Sequence, residues 1–154
     1  MYKIIKELIP KEIAEFNTAY FLLKRQVFQT FLNYRYISPY ELVWGTWKDP
    51  QVLNTYSCYG DIAMETLLHM TQSKIEKALK IKLIPTYSFA RIYKKGDILK
   101  RHKDRFSCEL SGTMFLGGTP WDIFLDPTGK KGKKGIKISQ NPGDILIYSG
   151  CELE

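Results

Sequence analysis

Apolar residues recur every three or four positions from Ile13 through Phe16, Tyr20, Leu23 and Val27 to Phe31, which predicts an amphipathic helix with those residues as its apolar stripe. A short strand, YKIIKELI, precedes it, and Pro10 stands where a first-turn proline is tolerated. A second helix is predicted to start at an Asp61 N-cap and run to about Lys80, striped by Met64, Leu67, Leu68, Ile75 and Leu79. The stretch between the helices is rich in aromatics, Gly and Pro and reads as a long irregular segment. Beyond Pro85 the pattern turns to short aromatic or β-branched runs, TYSFARIY, SGTMFLGG, WDIFL, IKIS and DILIYSG, separated by Gly, Pro and Asp turns.

Helices first and many short strands afterwards predict an α+β chain. In it, a jelly-roll or barrel-like pair of sheets is covered on one outer face by the N-terminal helices. The expected organisation is one domain over residues 1–154, helical to about 84 and jelly-roll from about 85.

Composition narrows the class. With 44% hydrophobic and 25% charged residues the chain is a globular one, and no apolar run is long enough to span a membrane. The start, MYKIIKELIPKE, lacks the apolar segment of a secretion signal. Cys58, Cys108 and Cys151 are odd in number and widely spaced, which fits neither a disulfide framework nor a zinc ribbon, so a cytoplasmic setting is expected.

The net charge of +7 is concentrated in two places. Residues 91–105 carry seven Lys or Arg against Asp97 and Asp104, and Lys130, Lys131, Lys133, Lys134 and Lys137 cluster without an acid. Such patches suit an anionic small molecule or polymer. One reading of the second patch, and of a pI near 9.2, is a non-catalytic jelly-roll module that binds nucleic acid or another polyanion. The lysine hairpin has no interleaved aromatics to stack bases, which weighs against that reading. For this segment taken alone, a plain solvated hairpin tip is the favoured reading.

The candidate chemistry lies in LKRHKDRFSCELSG, residues 99–112. If this stretch is extended, His102 and Asp104 project to one side and Arg101, Lys103 and Arg105 to the other. An imidazole and a carboxylate so placed are two of the three ligands of the facial triad used by non-haem Fe(II) oxygenases. For the triplet alone, an exposed, ion-paired histidine on a basic strand is the better reading, and the context is what raises the metal reading. About 40 residues on, NPGDILIYSG supplies a turn and strand suited to deliver a third ligand.

Taken together, ARIYKKGDILKRHKD, SGTMFLGG, WDIFL and NPGDILIYSGCELE resemble the prolyl-hydroxylase-like branch of the 2-oxoglutarate and Fe(II)-dependent oxygenases, in a bacterial and phage form with Arg-x-Ser-Cys-Glu after the His-x-Asp. Here that motif reads Arg105, Ser107, Cys108 and Glu109. The resemblance spans roughly residues 85–154 and implies a double-stranded β-helix fold. It implies His102 and Asp104 as iron ligands, and Tyr93 as the tyrosine that contacts the cosubstrate. Ser111, Thr113 and Phe115 would lie on the pocket-lining strand, with Thr113 the polar cosubstrate contact. Fe(II), 2-oxoglutarate with O2, and ascorbate are the cofactors implied. The activity implied is hydroxylation of a C–H bond, with a protein side chain among the substrate classes. Arg105 either steers an anionic substrate or braces Glu109, and Trp44 and Trp47 are candidate substrate contacts on a lid.

The family's third ligand is a histidine just after the GCELE-type segment, followed by a strand with a basic residue for the far carboxylate of 2-oxoglutarate. Neither precedes Glu154. The expectation is a longer natural chain; a true terminus, or Cys151, Glu152 or Glu154 as an unconventional ligand, are the alternatives. His69 is expected on a helix flank near Glu65 rather than at the metal. As it stands, the chain is expected to bind metal weakly and to turn over little.

Overall fold

The computed structural model describes residues 1–128 and 135–153. The hairpin lysines Lys130, Lys131, Lys133 and Lys134 lie outside the described residues, as does Glu154. Among the described residues there are two helices and seven strands, in the order β1 (Tyr2–Ile5), α1 (Lys11–Asn33), β2 (Tyr56–Tyr59), α2 (Ile62–Leu79), β3 (Phe89–Ile92), β4 (Leu110–Met114), β5 (Ile123–Leu125), β6 (Ile136–Ile138) and β7 (Ile145–Ser149). The strands pair antiparallel as β1-β7-β4, β2-β3 and β5-β6, an α+β arrangement. No helix among the described residues is long and apolar enough to cross a membrane.

Two compact units divide the chain: Met1–Thr18 with Arg101–Glu154, and Ala19–Lys100. In the first, alternation along each strand decides which face is buried. The register sets Ser111 opposite Tyr148 and Thr113 opposite Leu146, with Tyr2 and Ile4 beside Tyr148 and Leu146 on the other edge. That face meets the β5–β6 hairpin: Leu146 clusters with Leu125, Ile138 and Leu153, and Ile4, Ile123 and Tyr148 pack against them. The core is small and lies between two layers of strands.

A buried carboxylate ties the start of this unit to its end. Asp144 accepts from Lys6 Nζ (2.7 Å), Asn141 N (2.8 Å) and Glu7 N (3.0 Å). Next to it, Gly143 has φ +91°, and a Cβ there would stand 2.4 Å from the Ile9 carbonyl oxygen, so only glycine closes this turn.

In the second unit, Asp61 caps α2 by accepting from Ala63 N (3.0 Å) and Met64 N (3.2 Å). Its other oxygen takes the Lys24 ammonium at 2.5 Å and the Tyr20 hydroxyl at 2.9 Å. Burial would push the Asp61 carboxyl up, but Lys24 and Tyr20 outweigh it and hold it below the usual range. Burial and the adjacent Asp61 push the Tyr20 phenol up to about 12. Lys80 ends α2 in the left-handed conformation, its N–H donating to Glu76 O.

Three sequence expectations differ from the structure. The buried face of α1 is Ala14, Asn17, Phe21 and Phe28, with Phe16 69% and Leu23 58% exposed. The periodicity is offset by one because two polar residues face inward: Asn17 Nδ2 donates to the Ile13 carbonyl (2.8 Å) and Lys24 pairs with Asp61. The irregular segment contains β2, held by pairing to β3. Residues 99–105 are not in a strand, because their backbone joins no ladder.

Asp144→Ala is expected to lower folding stability by about 2–4 kcal/mol, since it leaves two backbone donors and a buried site unsatisfied. Lys6 and the two backbone N–H groups hold this carboxyl below its ordinary value despite burial. Its contribution is therefore complete at neutral pH and is lost as pH falls through the depressed folded value. Thermal melts should show the gap between wild type and variant narrowing in acid; a gap that ignores pH contradicts the assignment.

Candidate metal centre

His102 and Asp104 sit on a loop, yet the alternation expected of a strand survives: both are partly buried while Arg101, Lys103 and Arg105 are exposed. Two anchors hold the loop. Arg101 Nη2 pairs with Asp126 Oδ2 at 2.5 Å just after β5, and the Asp104 N–H donates to the Gly150 carbonyl at 2.9 Å just after β7. Thr128 and then Arg101 hold the Asp126 carboxyl below its usual range, so this anchor stays charged.

The two oxygens of Asp104 have different surroundings. Oδ2 accepts from Ser111 Oγ at 2.5 Å and from the Tyr148 hydroxyl at 3.2 Å, the cross-strand pair of β4 and β7. Oδ1 lies 3.5 Å from His102 Nε2. Donors that each bind an ion at about 2.1 Å stand at most about 4.2 Å apart, so Nε2 and Oδ1 fit one divalent cation. Ser111 and Tyr148 are the outer partners that fix a ligating carboxylate. Burial, with Asp104 next in line, pushes the Tyr148 phenol up to about 12, so it stays protonated as a donor. Thr113 lies two residues further along β4 than Ser111, opposite Leu146.

Gly150 makes the arrangement possible. A Cβ there would meet Ser111 Oγ at 2.4 Å, the Cys108 carbonyl at 2.6 Å and Asp104 Oδ2 at 2.8 Å. Neither Tyr148 nor Gly150 stood out as a site residue in the sequence. Their only signal was position, at the end of an apolar strand next to a turn.

The remaining candidates are placed as follows. Cys151 Sγ lies against the backbone carbonyls of Arg105 (3.4 Å), Phe106 (3.7 Å) and Cys108 (3.7 Å). Burial and the neighbouring Cys108, Glu109, Asp104 and Glu152 push its thiol up. Glu152 is exposed, 4.0 Å from the N-terminal amine. Among the described residues no group of three His, Cys, Asp or Glu side chains is placed to hold a metal ion, so the donor set fits two positions of a triad.

In the second unit, Tyr93 follows β3 and accepts from Arg91 Nη1 at 2.8 Å; Arg91 is itself held by Asp49 Oδ2 (2.6 Å) and Gln51 Oε1 (2.8 Å). Trp47 stacks on Phe28 with centroids 5.1 Å apart, and Trp44 meets Phe31 edge-on at 5.1 Å. Trp44 also borders a cavity of about 310 Å³ with Tyr20, Leu23, Lys24, Val27 and Val43. His69 is exposed on α2, and Glu65 accepts instead from Ser88 N (2.6 Å) and Oγ (2.8 Å).

This architecture is that of a prolyl-hydroxylase-like fold. The chain superposes on the crystal structure of a Pseudomonas putida prolyl-4-hydroxylase with a TM-score of 0.65, over 99% of this chain and 81% of that one, at 12% identity. No family model and no curated protein matches the sequence.

Gly150→Ala is expected to lower folding stability by about 1–3 kcal/mol, because the methyl must displace Ser111 or Asp104. Tyr148→Phe, which keeps the ring, should cost about 1 kcal/mol through the lost hydrogen bond. Equilibrium denaturation checks both, and an unchanged midpoint for Gly150→Ala contradicts the close approach.

Proposed function

We propose that the chain is a 2-oxoglutarate- and Fe(II)-dependent oxygenase with a double-stranded β-helix core, acting on a C–H bond of a substrate whose class includes protein side chains. The observation that carries this reading is the 3.5 Å approach of His102 Nε2 to Asp104 Oδ1. Its setting is a fold shared with a prolyl-4-hydroxylase. Bound Fe(II) would supply the redox chemistry that couples oxidative decarboxylation of 2-oxoglutarate to hydroxylation, with ascorbate as auxiliary reductant.

The residues of the chain orient and tune that centre. Ser111 and Tyr148 occupy Asp104 Oδ2 and leave Oδ1 turned towards His102. The Gly150 carbonyl fixes the aspartate backbone, and Arg101 on Asp126 fixes the residue before the histidine. Thr113 and Tyr93 are the proposed cosubstrate contacts. Arg105, Trp44 and Trp47 are the proposed substrate contacts. With two donors among the described residues, metal is held weakly and turnover is low.

Purified protein given Fe(II), 2-oxoglutarate and O2 is expected to form succinate slowly, above an iron-free control, and His102→Ala to return it to that control. Succinate no higher than the iron-free level in wild type, or unchanged in the variant, overturns the reading.

A further inference from the structure

We propose that Cys108 and Cys151 are a modification site: a thiol pair that closes to a disulfide under hydrogen peroxide and reopens under a thiol reductant. The β4–β7 ladder sets Leu110 opposite Ser149. Beyond that pair both strands turn: Ser149 O accepts from Glu152 N (3.1 Å) and Leu153 N (2.9 Å), and Arg105 O accepts from Cys108 N (2.8 Å). Gly150 N donates to Glu109 O at 3.1 Å, which holds the two turns side by side, one carrying Cys108 and the other Cys151.

Cys151 Sγ rests 3.7 Å from the Cys108 carbonyl oxygen, so the second sulfur already lies against the backbone of the first cysteine. Both residues are partly exposed, whereas Cys58 is 2% exposed. Peroxide therefore reaches the pair in preference to the third thiol. The turn that carries Cys108 is short, closed by Cys108 N donating to Arg105 O at 2.8 Å, and Cys151 Sγ also touches the Arg105 carbonyl at 3.4 Å. A bond here fastens the residues following Asp104 to the end of β7. It forms without bringing together distant segments.

The chemistry balances. One thiolate attacks the peroxide O–O bond, takes one oxygen as a sulfenic acid and releases hydroxide. The second thiolate displaces that hydroxyl, forming the S–S bond and releasing the other hydroxide. The two protons given up by the thiols convert both hydroxides to water. The pair loses two electrons and the peroxide gains them. This inference rests on the geometry of the thiols and is independent of the metal reading.

The test treats the reduced full chain with hydrogen peroxide, blocks remaining thiols by alkylation, and maps peptides by mass spectrometry without reduction. Loss of two of the three thiols, with a peptide linking Cys108 to Cys151 and Cys58 still alkylated, is the expected result. Dithiothreitol should restore all three. In Cys151→Ser and in Cys108→Ser the remaining thiol of the pair should stop at oxygen adducts, without a link. Oxygen adducts on both cysteines of the wild-type chain with no linked peptide, a link found only between two chains, or a pair left unoxidised while Cys58 reacts, would each overturn the proposal.

Discussion

The candidate site depends on how Asp104 is held. A carboxylate on a loop has no ladder to orient it, so its direction must come from outside. Here the main chain is fixed by the Gly150 carbonyl at 2.9 Å and one carboxylate oxygen by Ser111 at 2.5 Å. Both contacts arise from the end of the β4–β7 pairing, which sets Ser111 opposite Tyr148 and ends beside Gly150. Fixing one oxygen this way leaves the other to face His102. The sheet thus does for the loop what a strand would have done for itself.

The same pairing explains why this end of the first unit tolerates so little change. Ser111, Cys108 and Asp104 all converge on the space that a Gly150 side chain would fill. At the opposite end of β7, Asp144 binds Lys6, Glu7 and Asn141, so the strand is pinned at both ends by carboxylates. Between them Ile145, Leu146 and Ile147 are buried. A strand fixed this firmly is a rigid platform, and rigidity is what a site built from a loop aspartate requires.

Much of this was legible in the sequence, for physical reasons that vary with the element. The strands other than β2, and α2, were readable because their patterns are local: Asp61 caps through its own neighbours, and Ile145–Ser149 is an apolar run beside a turn. His102 and Asp104 were legible as a pair of residue types. Their actual geometry was not, since it comes from Gly150 and Tyr148, more than 40 positions away. The face of α1 was misread because hydrophobic periodicity places polar residues outside. Asn17 and Lys24 turn inward by satisfying their polar atoms on the Ile13 carbonyl and the Asp61 carboxylate. Aromatic-rich TYSCYG concealed β2, whose identity comes from pairing to β3.

Metal binding at His102 and Asp104 can be followed with Mn(II) as a redox-inert stand-in for Fe(II). Electron paramagnetic resonance of the free ion gives the bound fraction without any requirement for turnover. Weak, saturable binding of one ion per chain is expected, tightened by 2-oxoglutarate and lost in both His102→Ala and Asp104→Ala. Binding that persists unchanged in those two variants, or no binding with 2-oxoglutarate present, would contradict a metal site at these residues.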